Sequence, residues 1–364
     1  MHPNKIFIRK TFSGHSAYSG YDLLFRAVEK RIGTQINIWD HEFQRSSLIA
    51  RLFLGKLNQK ISPVTTLFHR PIESSLCELK ALVASLGKNI QLFHFGYLEN
   101  NYALFQSQKI RTVIRHKPVI ATIHCPASWW KLYSTPSIAR TLDGLIVLSE
   151  SEINYFHEFI PNNVYYIPHG IDTNFFSPVT ISKPSETNDD LRCVFVGQWL
   201  RDTETLVKVI EGITKTTTKI VFDIVYPVWK RHNKDFLYRV VNHDNVFFYN
   251  RLSDLHLRHY YQQADILLLP LFDCTANNAV LEGMACGLPI ITNDVPGIRS
   301  YTNDSFATLL KVGDADSMID ALLDANNNRA SLKEKGAKAR EHAISNFQWG
   351  NLAERLLGLY EKYE

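Results

Sequence analysis

Short apolar runs recur from one end of the chain to the other, and longer stretches with helical spacing separate them. Several runs are apolar throughout rather than at alternate positions. That pattern marks strands covered on both faces, as in a parallel sheet. In the first half the runs predict strands at Lys5–Arg9, Gln35–Trp39, Ile90–Phe95, Val119–His124, Gly144–Leu148 and Val164–Pro168. In the second half they predict Cys193–Val196, Ile220–Val225, Val246–Tyr249, Ile266–Leu271, Pro289–Thr292 and Thr308–Val312. Strands alternating with helices build doubly wound α/β units. The stretch FSPVTISKPSETNDD, Phe176–Asp190, is rich in proline, serine and acid without periodicity, and reads as a linker. The expected organisation is a Rossmann-like domain over 1–178, a linker over 179–190 and a second Rossmann-like domain over 191–346, the two facing a cleft. The last segment, FQWGNLAERLLGLYEKYE (347–364), has the apolar spacing of an amphipathic helix.

Composition narrows this picture without changing it. A chain of 364 residues, 45% of them hydrophobic, has material for two ordinary cores. A formal net charge of +4 is too mild to indicate a nucleic-acid partner. The 5 cysteines (77, 125, 193, 274 and 286) are scattered and odd in number, which points to a reducing compartment rather than a disulfide framework or a zinc site. MHPNKIFIRK at the start lacks the apolar core of a secretory signal. No run approaches the roughly 18 apolar residues needed to span a bilayer. The expectation is a cytoplasmic protein, free or peripheral at the inner face of the membrane.

The chemistry concentrates in DCTANNAVLEGMACGLPIITNDVPG, Asp273–Gly297, directly after a predicted buried strand. Loops at the carboxyl ends of parallel strands are where ligands bind in α/β proteins. A polar loop, small residues for close packing and a lone carboxylate, Glu282, in an apolar helix suggest a sugar-nucleotide pocket. Thr275, Asn277, Asn278 and Ala279 lead into that helix, whose first backbone N–H groups suit a diphosphate. Asparagine tolerates unusual backbone angles and adds amide donors. Arg201 follows a second predicted strand and the turn Gly197-Gln198-Trp199-Leu200. A guanidinium there would neutralise a departing diphosphate; a plain surface charge is the other reading. Glu282 likewise reads either as a ligand contact or as a carboxylate favoured by a helix N-terminus. Neither a metal nor a cofactor is expected. The turn at 12–20 is not a G-x-G-x-x-G fingerprint, which argues against a nicotinamide oxidoreductase.

Taken in order, these pieces resemble a known family. They are VLSESE (147–152), NNVYYIPHGIDTNFFSP (162–178), VFVGQWLRD (194–202), ADILLLPL (264–271), LEGMACGLPIITNDVPG (281–297) and FQWGNLAERLLGLY (347–360). The series resembles the family-four, group 1 type of GT-B-fold glycosyltransferases, which move a sugar from a nucleotide diphosphate with retention at the anomeric carbon. The first half matches less, through SGYDLL at 19–24 and TIHCP at 122–126. The resemblance implies that Glu282 bonds the ribose hydroxyls and that an acid eight residues earlier touches the donor sugar. Cys274 stands in that place, and Asp273 beside it is the candidate carboxylate; a loop cap is its plain alternative. The family's loop glycines are replaced by Asn277 and Asn278. Its arginine after Gly197 is replaced by Gln198, while Arg201 approximates its lysine. The resemblance makes His124 the first-domain histidine that reaches the reacting centre, against a plain strand-end histidine. It makes Gly20 the small residue that lets backbone approach the donor phosphate or the acceptor, against a tight turn without a ligand. It also favours a last helix that crosses back to the first domain.

Between Glu42 and Glu73 no acid occurs, while Arg45, Arg51, Lys56, Lys60 and Arg70 interleave with Leu48, Ile49, Leu52, Phe53 and Leu57. The stretch suits an anionic membrane surface, a core-facing helix with a solvated edge, or a groove for a polyanionic acceptor. The leading expectation is a retaining glycosyltransferase with a nucleotide-sugar donor and an acceptor that is a glycan, a lipid-linked sugar or a small molecule. Two alternatives remain. One is a catalytically silent relative, suggested by Cys274 and Gln198; the other is a sugar-nucleotide epimerase sharing the architecture.

Overall fold

All twelve predicted strands form, and among the described residues they sort into two six-stranded parallel sheets. The computed structural model describes residues 4–8, 17–32, 36–39, 71–87, 90–114, 116–133, 136–179, 190–217, 219–227 and 234–363. The basic stretch with Arg45, Arg51, Lys56 and Lys60 lies outside the described residues, as does most of the expected linker.

The first unit holds residues 20–169 and Trp349–Glu364 with the opening strand. Its strands are β1 Asn4–Ile8, β2 Ile36–Trp39, β3 Ile90–Phe95, β4 Val119–Thr122, β5 Gly144–Val147 and β6 Val164–Tyr166, in the order β2-β1-β3-β4-β5-β6. Phe93, Phe95, Phe105 and Trp130 fill the core beneath this sheet. The helix Trp349–Tyr360 buries Trp349, Leu352, Ala353, Leu356, Leu359 and Tyr360, a stripe at helical spacing. It packs on the helix Asp22–Ile32. A polar chain fixes its end: the Tyr360 hydroxyl meets His94 Nδ1 at 2.6 Å, and His94 Nε2 meets Thr122 Oγ1 at 2.8 Å. Thr122 Oγ1 lies in turn 3.0 Å from the Tyr21 hydroxyl. Burial lowers the His94 pKa to about 3, so a neutral ring with one donor and one acceptor bridges the two hydroxyls.

The second unit holds Gly170–Gln348 and the short piece Ser16–Ser19. Its strands are β7 Leu191–Val196, β8 Ile220–Val225, β9 Val246–Tyr249, β10 Ile266–Leu269, β11 Ile290–Asn293 and β12 Ala307–Leu310. The order β12-β11-β10-β7-β8-β9 reverses direction between β7 and β10, as in a doubly wound dinucleotide fold. Strands β8, β10 and β11 are buried at every position. Thr292, Asn293 and Asp223 are the polar residues among them, and the two oxygens of Asp223 take bonds of 3.0 and 2.8 Å from the Arg192 guanidinium. Without that fork a buried carboxylate would be strongly destabilising.

The boundary differs from the expected 178. The chain enters the second unit at Gly170, because 171–178 is tied to it by partners far away in sequence. Ile171 N donates to Phe347 O at 2.8 Å, and Arg340 donates to the carbonyls of Thr173, Phe176 and Ala285. Phe176 is fully buried in the second core. Ser16–Ser19 also departs from the expected division. Ala17 N donates to Asp254 Oδ2 at 3.0 Å, and Tyr18 stacks on Phe175 with ring centroids 3.5 Å apart.

Candidate functional site

In the second unit the loops after β7 and β10 lie at the switch point of the strand order, the place where doubly wound folds bind ligands. The two loops are joined. Arg201 and Leu271 form an antiparallel bridge, Asp202 N donates to Pro270 O and Phe272 N donates to Leu200 O, each at 3.0 Å. Gly197 turns with φ +91°, a conformation that side chains rarely adopt, and a Cβ there would stand 3.0 Å from Arg201 Nη2. The glycine therefore makes the turn and leaves room for the guanidinium.

Arg201 is half-buried and tethered at three points. Nε donates to Val196 O at 2.9 Å, Nη1 to Trp199 O at 2.9 Å and Nη2 to Asn277 Oδ1 at 3.1 Å. A guanidinium has five N–H donors. The remaining two have no partner among the described residues. Burial lowers its pKa to about 10, with Tyr261, Cys274 and Glu282 pulling the other way, so it stays a cation at neutral pH.

Asn277 also caps the helix Asn278–Ala285, its Oδ1 accepting from Ala279 N at 3.1 Å. One side-chain oxygen thus joins Arg201 to the helix that carries Glu282. Thr275 is buried, and its Oγ1 has no partner among the described residues. Asn278 is exposed. Cys274 is packed into the core, and its backbone N–H donates to Asp273 Oδ1 at 2.8 Å, so Asp273 does cap its own loop. Glu282 is buried, accepting the Tyr261 hydroxyl at 2.8 Å and bonding the Ser19 hydroxyl. Burial raises its pKa to about 7, and Arg201 lowers it only in part.

The loop after β10 is crowded from beneath. A Cβ on Gly297 would lie 1.8 Å from Cys274 O and 3.0 Å from Thr275 O, both backbone atoms that cannot swing aside. Gly297→Ala is expected to cost about 1–3 kcal/mol or more through overpacking. A denaturation midpoint equal to that of the parent protein would show that the loop yields freely.

In the first unit His124 is half-buried at the end of β4. Its ring stacks on Tyr97 at 4.0 Å, meets the edge of Tyr21 at 4.8 Å, and its Nε2 lies 2.8 Å from Gly96 O. Glu99 fixes the backbone there, its Oε1 accepting from His124 N at 2.7 Å and Cys125 N at 2.8 Å. Gly20 is buried and opens the helix Asp22–Ile32, its carbonyl accepting from Leu23 N at 3.0 Å.

The second unit therefore brings together Gly197, Arg201, Asp273, Cys274, Thr275, Asn277, Asn278, Ala279 and Glu282, while His124 and Gly20 belong to the first. Sequence reasoning missed Tyr261 and Ser19 as partners of Glu282. It also missed Asn293, whose Oδ1 accepts from Leu271 N at 2.7 Å and fixes the second loop. Only Asn293 carried a signal, as a polar residue ending an apolar strand.

The two parallel sheets and the strand-end site define a protein of GT-B glycosyltransferase fold. Residues 190–328, within the second unit, match the family model described as Glycosyl transferases group 1. The chain is similar to sucrose-phosphate synthase from Thermosynechococcus elongatus, with a TM-score of 0.71 and 19% identity over 99% of each chain. It is similar to Anabaena HepE in complex with UDP-glucose, with a TM-score of 0.68 and 12% identity over 99% of this chain and 100% of that one. It is 24% identical to the D-inositol 3-phosphate glycosyltransferase of Xylanimonas cellulosilytica over 218 residues, which are 55% of this chain and 51% of that protein. The chain spans about half the length of the first curated relatives it matches. Among the described residues no helix is long and apolar enough to cross a membrane.

Proposed function

We propose that the chain is a retaining glycosyltransferase whose second unit holds a nucleoside-diphosphate sugar. The observation that carries this reading is Arg201: a tethered cation with two N–H donors left without a partner among the described residues, beside a capped helix N-terminus at the switch point of the sheet. Charge-assisted bonds from a guanidinium match the paired oxygens of a phosphate. As the bond between the anomeric carbon and the phosphate oxygen breaks, negative charge gathers on the diphosphate. A preorganised cation stabilises that charge more than the ground state. The departing oxygen keeps the electron pair and takes the proton of the acceptor hydroxyl, whose oxygen bonds to the same face of the sugar. No strong base is required. The capture of UDP-glucose by HepE, a protein of like fold, is in line with a nucleotide-sugar donor here.

A silent relative that binds a nucleotide sugar without transferring it has one observation in its favour. Cys274 occupies the place of the expected first acid and lies in the core. Two measurements separate the readings. A nucleoside diphosphate at a hundredfold excess over its Kd should stabilise the folded chain by about 2.7 kcal/mol in a thermal-shift assay. The donor sugar should then be hydrolysed slowly without an acceptor. Stabilisation without turnover of any donor sugar supports the silent relative, and no stabilisation by any nucleoside diphosphate removes both.

A further inference from the structure

Tyr261 has no role in the scheme above, yet it makes the clearest side-chain bond to Glu282. It comes from the helix Asp254–Gln263, which packs beside Asn278–Ala285. Its ring is fully buried and meets Phe176 edge-on at 6.2 Å, and Phe176 is itself fully buried. Burial and the Phe176 contact therefore restrict the phenol ring. Its hydroxyl donates to Glu282 Oε2 at 2.8 Å. Burial, followed by the adjacent Glu282 charge, pushes the Tyr261 pKa well above 10, so the group remains a donor. A glutamate side chain turns about three torsions and loses considerable entropy when ordered. Fixing it in advance removes that loss from the binding step. A carboxylate offers about four acceptor positions. Tyr261 takes one and Ser19 another, which leaves capacity for hydroxyls of a bound molecule.

We propose that Tyr261 is a positioning residue that holds the Glu282 carboxylate for the ribose diol of a nucleoside diphosphate, with the Ser19 hydroxyl as the partner that the diol exchanges. This rests on the reading of the second unit as a nucleotide-sugar site. The ribose preference of the protein is then set jointly by Glu282 and by a tyrosine that never touches the ligand.

The test uses the full chain and the tightest binder among the uridine, adenosine and guanosine diphosphates, paired with its 2′,3′-dideoxy analogue in calorimetry. The parent protein should prefer the ribose form by roughly tenfold to a hundredfold, the range of a charge-assisted hydrogen bond. Tyr261→Phe should shrink that preference to a few-fold while leaving the affinity for the dideoxy analogue unchanged. Glu282→Gln should shrink it as well. If Glu282→Gln removes the preference and Tyr261→Phe retains it, the positioning role is overturned and the site reading stands. Equal losses for both ligands in Tyr261→Phe would assign the tyrosine to packing alone, which also overturns the proposal. A parent protein with no ribose preference, or with no nucleotide binding, removes the role of Glu282 and that of Tyr261 together.

Discussion

Glu282→Gln is expected to make the protein more stable at pH 8 by up to ~3 kcal/mol and, at the same time, a poorer binder of its donor. The stability effect follows from burial, which raises the carboxyl pKa from an ordinary 4.5 to about 7. Below pH 4.5 the folded and unfolded chains both carry the proton, and the residue makes no difference. Between 4.5 and about 7 the unfolded chain ionises while the folded one retains its proton. Stability therefore falls as pH rises through this window and levels off above it. Glutamine never ionises and avoids the loss, while its amide oxygen still accepts from Tyr261. Urea unfolding at pH 4, 6 and 8 should show parent and variant alike at the lowest pH and diverging upward. Parallel curves would mean that the carboxylate is better solvated than its burial indicates. A residue kept at this cost in stability is more readily explained by binding than by folding.

Much of this was legible because it depends on local pattern. The twelve strands follow from apolar runs bounded by turn residues, and the loops at Gly197 and Asp273–Asn277 follow from those strands. In the sequence Asn277 suggests an amide donor beside a diphosphate; the structure uses its Oδ1 as a cap and a tether for Arg201. The dependence of Glu282 on Tyr261 and Ser19 was not legible, because 21 positions separate Tyr261 from Glu282 and Ser19 lies in the other half of the sequence. The domain boundary failed for the same reason. Nothing in GIDTNFFSP announces that Arg340 will hold its carbonyls, so proline and serine content drew the border too late. Periodicity reports which face is buried; it does not report which distant group satisfies a buried polar atom.

Arg201→Ala is expected to lower turnover by about 100- to 1000-fold, the range seen when one preorganised group facing transition-state charge is removed. The KM for the donor should rise far less, because the diphosphate gains most of its charge only as the glycosidic bond breaks. Lysine should restore little. Three tethers, to Val196 O, Trp199 O and Asn277 Oδ1, require three separate nitrogens in a plane, and an ammonium has one. Arg201 also braces its loop, so loss of activity could arise from collapse of the loop. Asn277→Ala separates the causes: it removes one tether and the helix cap, costing about 1 kcal/mol of stability, but leaves the cation. If catalysis depends on the charge, Asn277→Ala should retain most of its turnover and Arg201→Ala should not. Equal losses in the two variants would place the effect in loop geometry, and unchanged turnover in Arg201→Ala would take the guanidinium out of the reaction.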